Sequence, residues 1–100
     1  MAAGALARRL EWSPGALDAY QSTLARIAAD DPFTAHQFAE RVQQSLASIL
    51  GHPYLGTPAT ARGERRYPVP GTGHVLNYRV SRDAIRIQLW YRARRHLIRR

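Results

Sequence analysis

The chain has no cysteine and no lysine among its 100 residues. Without cysteine there is no disulfide framework, no thiolate zinc site and no thiol nucleophile. The four histidines, His36, His52, His74 and His96, form no pair at metal-ligand spacing, so no metal and no other cofactor is expected. No apolar run approaches the ~20 residues that a membrane helix needs. The apolar start, residues 1–7, is followed by arginines instead of being preceded by them, the wrong order for a signal peptide. These absences fit a cytoplasmic protein with no membrane partner.

The missing lysine makes every cationic side chain apart from histidine a guanidinium, which suits bidentate contacts to phosphate and carboxylate. A GC-rich genome could favour arginine throughout, but such bias does not explain where the arginines sit. Residues 1–12 carry two arginines and one acid, and residues 13–51 carry two arginines against four acids. Residues 52–100 carry eleven arginines against only Glu64 and Asp83. Of the net charge of +8, the first two segments therefore contribute +1 and −2 and the last +9. A concentrated cation of this kind calls for an anionic partner: nucleic acid, an acidic protein or a charged surface.

A length of 100 residues allows one small domain with a single two-layer core, so residues 1–100 are read as one domain. Residues 8–12 make a short candidate strand. Ser13-Pro14 is a helix start, with serine as N-cap and proline at the first helical position. Leu17, Tyr20, Leu24 and Ile27 form an apolar stripe, and the helix is expected to stop near Asp30. Asp31-Pro32 repeats the start signal, and Phe38, Val42, Leu46, Ile49 and Leu50 form a second stripe ending at Gly51, a natural C-terminal cap. Residues 52–63 read as loop, punctuated by Pro53, Gly56, Pro58 and Gly63.

Three strands follow. Residues 64–69 are the first, with Pro68 confining it to an edge or an early end. In the second, His74, Leu76, Tyr78 and Val80 share one face, with Asn77 and Arg79 opposite. In the third, Ile85, Ile87, Leu89 and Tyr91 point one way, and Arg86, Gln88, Trp90 and Arg92 the other. Period-two alternation of this kind marks a sheet with one face on a core and one face wet. The wet face or its rim, where positive charge and aromatic rings meet, is the expected working surface. Residues 1–7 and 96–100 are read as candidate disordered tails, the second with the alternative of packing across the sheet through Leu97 and Ile98.

This ordered set resembles the RelE/ParE toxin superfamily, and its ParE branch more closely. The resemblance runs from Trp12-Ser13-Pro14, through Pro53 and Gly56, to Arg66-Tyr67-Pro68-Val69. It continues through residues 74–80 and 85–91 and ends at Arg94. It implies an α+β fold: an N-terminal strand, then a two-helix hairpin packed on an antiparallel sheet that a C-terminal three-stranded meander completes. It also implies the toxin of a bacterial type II toxin–antitoxin module. Such a toxin would be neutralised by a cognate antitoxin with an acidic, apolar C-terminal segment. When free it would inhibit DNA gyrase, and so growth, by binding and with no catalytic step. A basic half with exposed rings would draw in an acidic disordered segment and bury it along a groove.

The alternative is a RelE-like ribosome-dependent mRNA endoribonuclease, and a third reading is a plain nucleic-acid-binding domain. For a nuclease, Arg62, Arg66, Tyr91 and Arg92 are the candidates to stabilise charge and move protons, with Arg65 beside them. The arginine that RelE-like nucleases carry early in the middle strand falls on Val75, and Tyr91 stands where family members often carry histidine. As binding residues we take Arg65, Arg66, Arg86, Trp90, Tyr91, Arg92, Arg94 and Arg95. Each has a structural reading beside it. Arg66 could form a salt bridge with Glu64 or a helix acid, and Tyr91 could be a buried strand-end ring. Trp90 could be covered by the C-terminal segment or by a partner, His74 could simply be packed, and Arg94 to Arg100 could be a solvated tail.

Overall fold

The fold described here comes from a computed structural model and covers residues 7–60 and 62–94. In chain order the elements are β1 (Arg9–Trp12), α1 (Pro14–Asp30), α2 (Pro32–Gly51), β2 (Thr57–Pro58), β3 (Glu64–Val69), β4 (His74–Val80) and β5 (Ala84–Arg92). The strands form one sheet in the order β1-β5-β4-β3-β2. The α+β fold read from the sequence is therefore present, with two additions. β1 lies parallel to β5, which makes the sheet mixed, and β2 forms inside the stretch read as loop. A parallel neighbour needs a crossover connection, and the helix hairpin supplies it. The tails expected at 1–7 and 96–100 lie outside the described residues, apart from Ala7.

Both helices start as their caps require. Ser13 Oγ accepts from the Ala16 amide at 3.1 Å, and Asp31 Oδ1 accepts from the Phe33 amide at 3.1 Å. The Asp31 hydrogen bonds from Thr34 and Phe33 hold its carboxyl below the usual aspartate pKa. The end of α2 differs from expectation. Gly51 is its last helical residue and has no left-handed φ, while His52 closes the helix with φ −139° and an amide bond to the Ser48 carbonyl. The stripe of α2 is as read, with Phe38, Val42, Leu46 and Ile49 all buried. That of α1 is rotated. Ala16 and Thr23 are its buried residues, Tyr20, Leu24 and Ile27 flank them half-buried, and Leu17 is exposed. Small side chains at Ala16 and Thr23 let α1 lie close against β5.

β4 is the central strand, and His74 through Tyr78 are buried without a break. Its helix-facing side chains Leu76 and Tyr78 meet Val42, Leu46 and Ile49 of α2, Val69 of β3, and Ile85 and Ile87 of β5 in the core. Pro68 sits where β3 has no partner on its outer side, because β2 reaches only Arg65 and Arg66. That is the edge position expected of it.

Tyr78 also fixes the loop between α2 and β2. Its hydroxyl donates to the Pro53 carbonyl and accepts from the Gly56 amide, both at 2.8 Å. Glycine is required at 56 by close approach, since a Cβ there would stand 2.8 Å from the Arg66 carbonyl oxygen and 3.0 Å from the Tyr78 ring. Replacing Tyr78 with Phe leaves a buried amide without its acceptor and a carbonyl without its donor. The expected loss is about 1–3 kcal/mol, readable as a drop of several degrees in the thermal unfolding midpoint.

Candidate functional site

The geometry of the basic half turns on one residue of β5. Pairing between β4 and β5 runs in register from Val80↔Ile85 to Tyr78↔Ile87, then jumps to Asn77↔Leu89, so Gln88 is an extra residue, a β-bulge. Beyond it the alternation inverts. Trp90, expected on the wet face, is 6% exposed and lies on the helix side. Leu89 and Tyr91, expected in the core, are 49% and 36% exposed on the open face. This corrects the reading of Trp90 as an exposed binding ring: its Nε1–H donates to Thr23 Oγ1 at 3.0 Å, and it stacks on His74 with centroids 5.2 Å apart. Phe38 and Tyr20 meet it edge-on.

Ser13 ties this bulge to the helix start. Besides capping α1, its hydroxyl donates to the Gln88 carbonyl at 3.1 Å, and its amide donates to the Ile87 carbonyl at 2.8 Å.

The open face carries Arg66 on β3, Asn77 and Arg79 on β4, Arg86, Leu89 and Tyr91 on β5, and Arg9 and Glu11 on β1. Tyr91 Oη donates to Asn77 Oδ1 at 3.0 Å, Asn77 Nδ2 donates to Glu64 Oε1 at 3.4 Å, and Glu64 lies 3.9 Å from Arg79. Glu11 sits between Arg9 at 3.0 Å and Arg86 at 3.7 Å. The exposed Glu11 pairs contribute little to stability; with the Glu64–Arg79 pair, their effect is to hold guanidiniums in place. Arg66 is exposed, and among the described residues it makes no ion pair: Glu64, its suggested partner, is taken by Arg79. Arg79 Nε is buried without a hydrogen-bond partner. The face thus presents four arginines against two carboxylates around an apolar patch of Leu89 and Tyr91.

The remaining predicted residues fall elsewhere. Arg65 is turned to the helix side and pins the 52–56 loop, with Nε donating to the Gly56 carbonyl at 2.8 Å and its guanidinium over the Tyr54 ring. Arg62 is exposed in the turn before β3, and Arg94 is exposed past the end of β5. Arg95 lies outside the described residues. Arg92 pairs with His74 across the ladder and lines a cleft of about 340 Å³ on the helix side, together with Arg26 of α1. Arg9, Arg26, Arg79 and Leu89 were not among the predicted site residues. They share no sequence pattern, and only the sheet register and the packing of α1 bring them into place.

His74 is buried at this cleft, as its packed reading required. Its Nδ1 lies 3.1 Å from the Thr72 carbonyl oxygen, which only accepts, so the proton of the neutral ring sits on Nδ1. Burial lowers its pKa below 6.5, and the Arg92 and Arg26 guanidiniums add to that, against the opposing bond to Thr72. Among the described residues there is no cluster of side chains that could hold a metal, and no helix long and apolar enough to cross a membrane.

Two outcomes are expected. Trp90→Ala should cost about 3–5 kcal/mol in urea unfolding, whereas Leu89→Ser should change stability by well under ~1 kcal/mol; comparable losses would place Leu89 in the core. His74 is neutral when folded and protonates more readily when unfolded, so its contribution is complete above about pH 6.5 and is lost as pH falls toward its lowered folded value. Unfolding midpoints of wild type and His74→Gln, compared between pH 5 and 7, should show a steeper acid loss in the wild type.

Residues 10–96 match the family model described as ParE toxin of type II toxin–antitoxin system, parDE. No curated protein matches the chain. Among solved structures, the chain resembles one from a chromosomal ParDE toxin–antitoxin system of P. aeruginosa, with a TM-score of 0.75 and 15% identity over 88% of this chain and 98% of that one. At that identity the likeness speaks for the fold.

Proposed function

The chain belongs to the ParE toxin family of type II toxin–antitoxin systems, and we propose that a cognate antitoxin holds it inactive and that, when free, it inhibits DNA gyrase by binding. The observation that carries this reading is the open sheet face. Arg66 lacks an ion-pair partner among the described residues, and Leu89 and Tyr91 are exposed between guanidiniums. A face with an excess of guanidiniums over carboxylates and a small apolar centre suits an acidic, partly apolar segment that is steered in by charge and then desolvated. Nucleic acid would answer the charge but not the apolar centre.

A RelE-like nuclease has less support. Val75, fully buried between Pro68 and Tyr91 in the ladder, takes the place of a charge-stabilising arginine, and the Tyr91 hydroxyl is already bonded to Asn77. His74 lies on the opposite face of the sheet.

The purified protein should inhibit gyrase-catalysed supercoiling, and the product of the neighbouring gene should relieve that inhibition. Ribosome-dependent mRNA cleavage with no effect on gyrase would replace this reading with the nuclease. Charge reversal at Arg66 and Arg86 together should slow association with the neighbouring gene product by at least about tenfold at low ionic strength, with the difference shrinking as salt is raised. Stopped-flow association rates at several salt concentrations measure this.

A further inference from the structure

The cleft on the helix side has no part in the surface just described. It opens between the second half of α1, the first half of α2, the turn between β3 and β4, and the paired ends of β4 and β5. The Ala93 amide bonds the Gly73 carbonyl at 2.8 Å and closes the end of β5 onto that turn. Among the described residues, the charged groups lining the cleft around His74 are Arg26 and Asp30 from α1 and Arg92 from β5, with the uncharged Thr34 and Phe38 from α2 and Thr72 from the turn. Neither Arg26 nor Arg92 is in an ion pair with any described residue. Two guanidiniums thus flank a buried imidazole closely enough for each to disfavour its protonation.

We propose that this cleft is an anion-recognition site that takes a carboxylate side chain of the acidic partner segment, held between the Arg26 and Arg92 guanidiniums. The proposal rests on the antitoxin reading for the source of that segment, and it adds a second grip on the face opposite the open sheet. Charge selects the ligand. With Asp30 in the cleft and His74 neutral, the lining carries one net positive charge, which a single carboxylate matches. A phosphate dianion would overfill it and meet Asp30. The apolar walls at Ile27 and Phe38 suit the methylene stem of an acidic side chain.

His74 makes the grip depend on pH. Its Nδ1–H is committed to the Thr72 carbonyl, and Nε2 has no hydrogen-bond partner among the described residues. Burial is the main reason the ring stays neutral, and a carboxylate seated between the arginines offsets the repulsion they add to it. The pKa of His74 therefore rises on binding, a proton is taken up, and affinity increases as pH falls through the window between the bound and free values.

The test measures the affinity of the full-length protein for the full-length neighbouring gene product at pH 6 and pH 8. Wild type, Arg26→Gln, Arg92→Gln, the double variant of both arginines and His74→Gln are compared, and the His74 ring protons are followed by NMR with and without the partner. The expected result is a loss of about tenfold or more at pH 6 for each arginine variant. Wild-type binding should tighten from pH 8 to pH 6, and that change should vanish in His74→Gln. The NMR titration should show the His74 pKa raised in the wild-type complex, a readout that does not depend on any variant folding. Wild-type affinity in the Arg26→Gln Arg92→Gln double variant, with an unmoved His74 titration, would overturn the cleft while leaving the antitoxin reading intact. No binding by the wild type would overturn both.

Discussion

One extra residue in β5 governs how the basic half of this protein is displayed. The bulge at Gln88 inverts the side-chain alternation for the rest of the strand. It turns Trp90 into the core, where the ring stacks on His74 and bonds Thr23. It turns Leu89 and Tyr91 out among the arginines and carries Arg92 to the helix side, beside Arg26. A regular ladder would bury Leu89 and Tyr91 and expose Trp90, so both the apolar centre of the open face and the cationic cleft would be lost. Ser13 links the bulge to the first turn of α1. The helix hairpin is thereby referenced to the same strand that sets the surface.

The central strand is a second organiser. β4 is buried on both faces, and its residues do different work on each. Tyr78 reaches past the core to tie down the loop after α2 with two hydrogen bonds, and Gly56 leaves the space for that contact. Asn77, facing the other way, connects Tyr91 to Glu64. A residue that accepts from one neighbour strand and donates to the other holds the polar groups of the open face in fixed positions. Arg65 completes the loop anchor from β3. An arginine that counts toward the cationic half by composition is thus spent on structure.

Charge and fold together suggest a protein gripped from two sides. The open face offers exposed guanidiniums around two apolar side chains, suited to an extended acidic segment. The cleft offers a narrower site whose strength varies with protonation of one buried histidine. Long-range attraction would bring a partner in, and desolvated contacts at Leu89, Tyr91 and the cleft would set how long it stays.

The α+β class, both helix starts at Ser13 and Asp31, the stripe of α2 and the edge position of Pro68 are legible in the chain before it folds. So is the concentration of arginine after residue 51. The structural features follow from local chemistry: caps, periodicity and the limits proline places on a ladder. The sequence also carried the resemblance that the family match bears out over residues 10–96. Which of the described arginines stay unpaired emerges from packing and register alone. Arg65 and Arg66 are adjacent in the chain, yet one pins a loop and the other faces solvent. Nothing local marks Gln88 as a bulge, because a bulge is a mismatch between two strands and exists only once both are paired. For the same reason the parallel pairing of β1 and the meeting of Arg26 with Arg92 had no signal in the sequence. They depend on contacts between residues far apart in the chain.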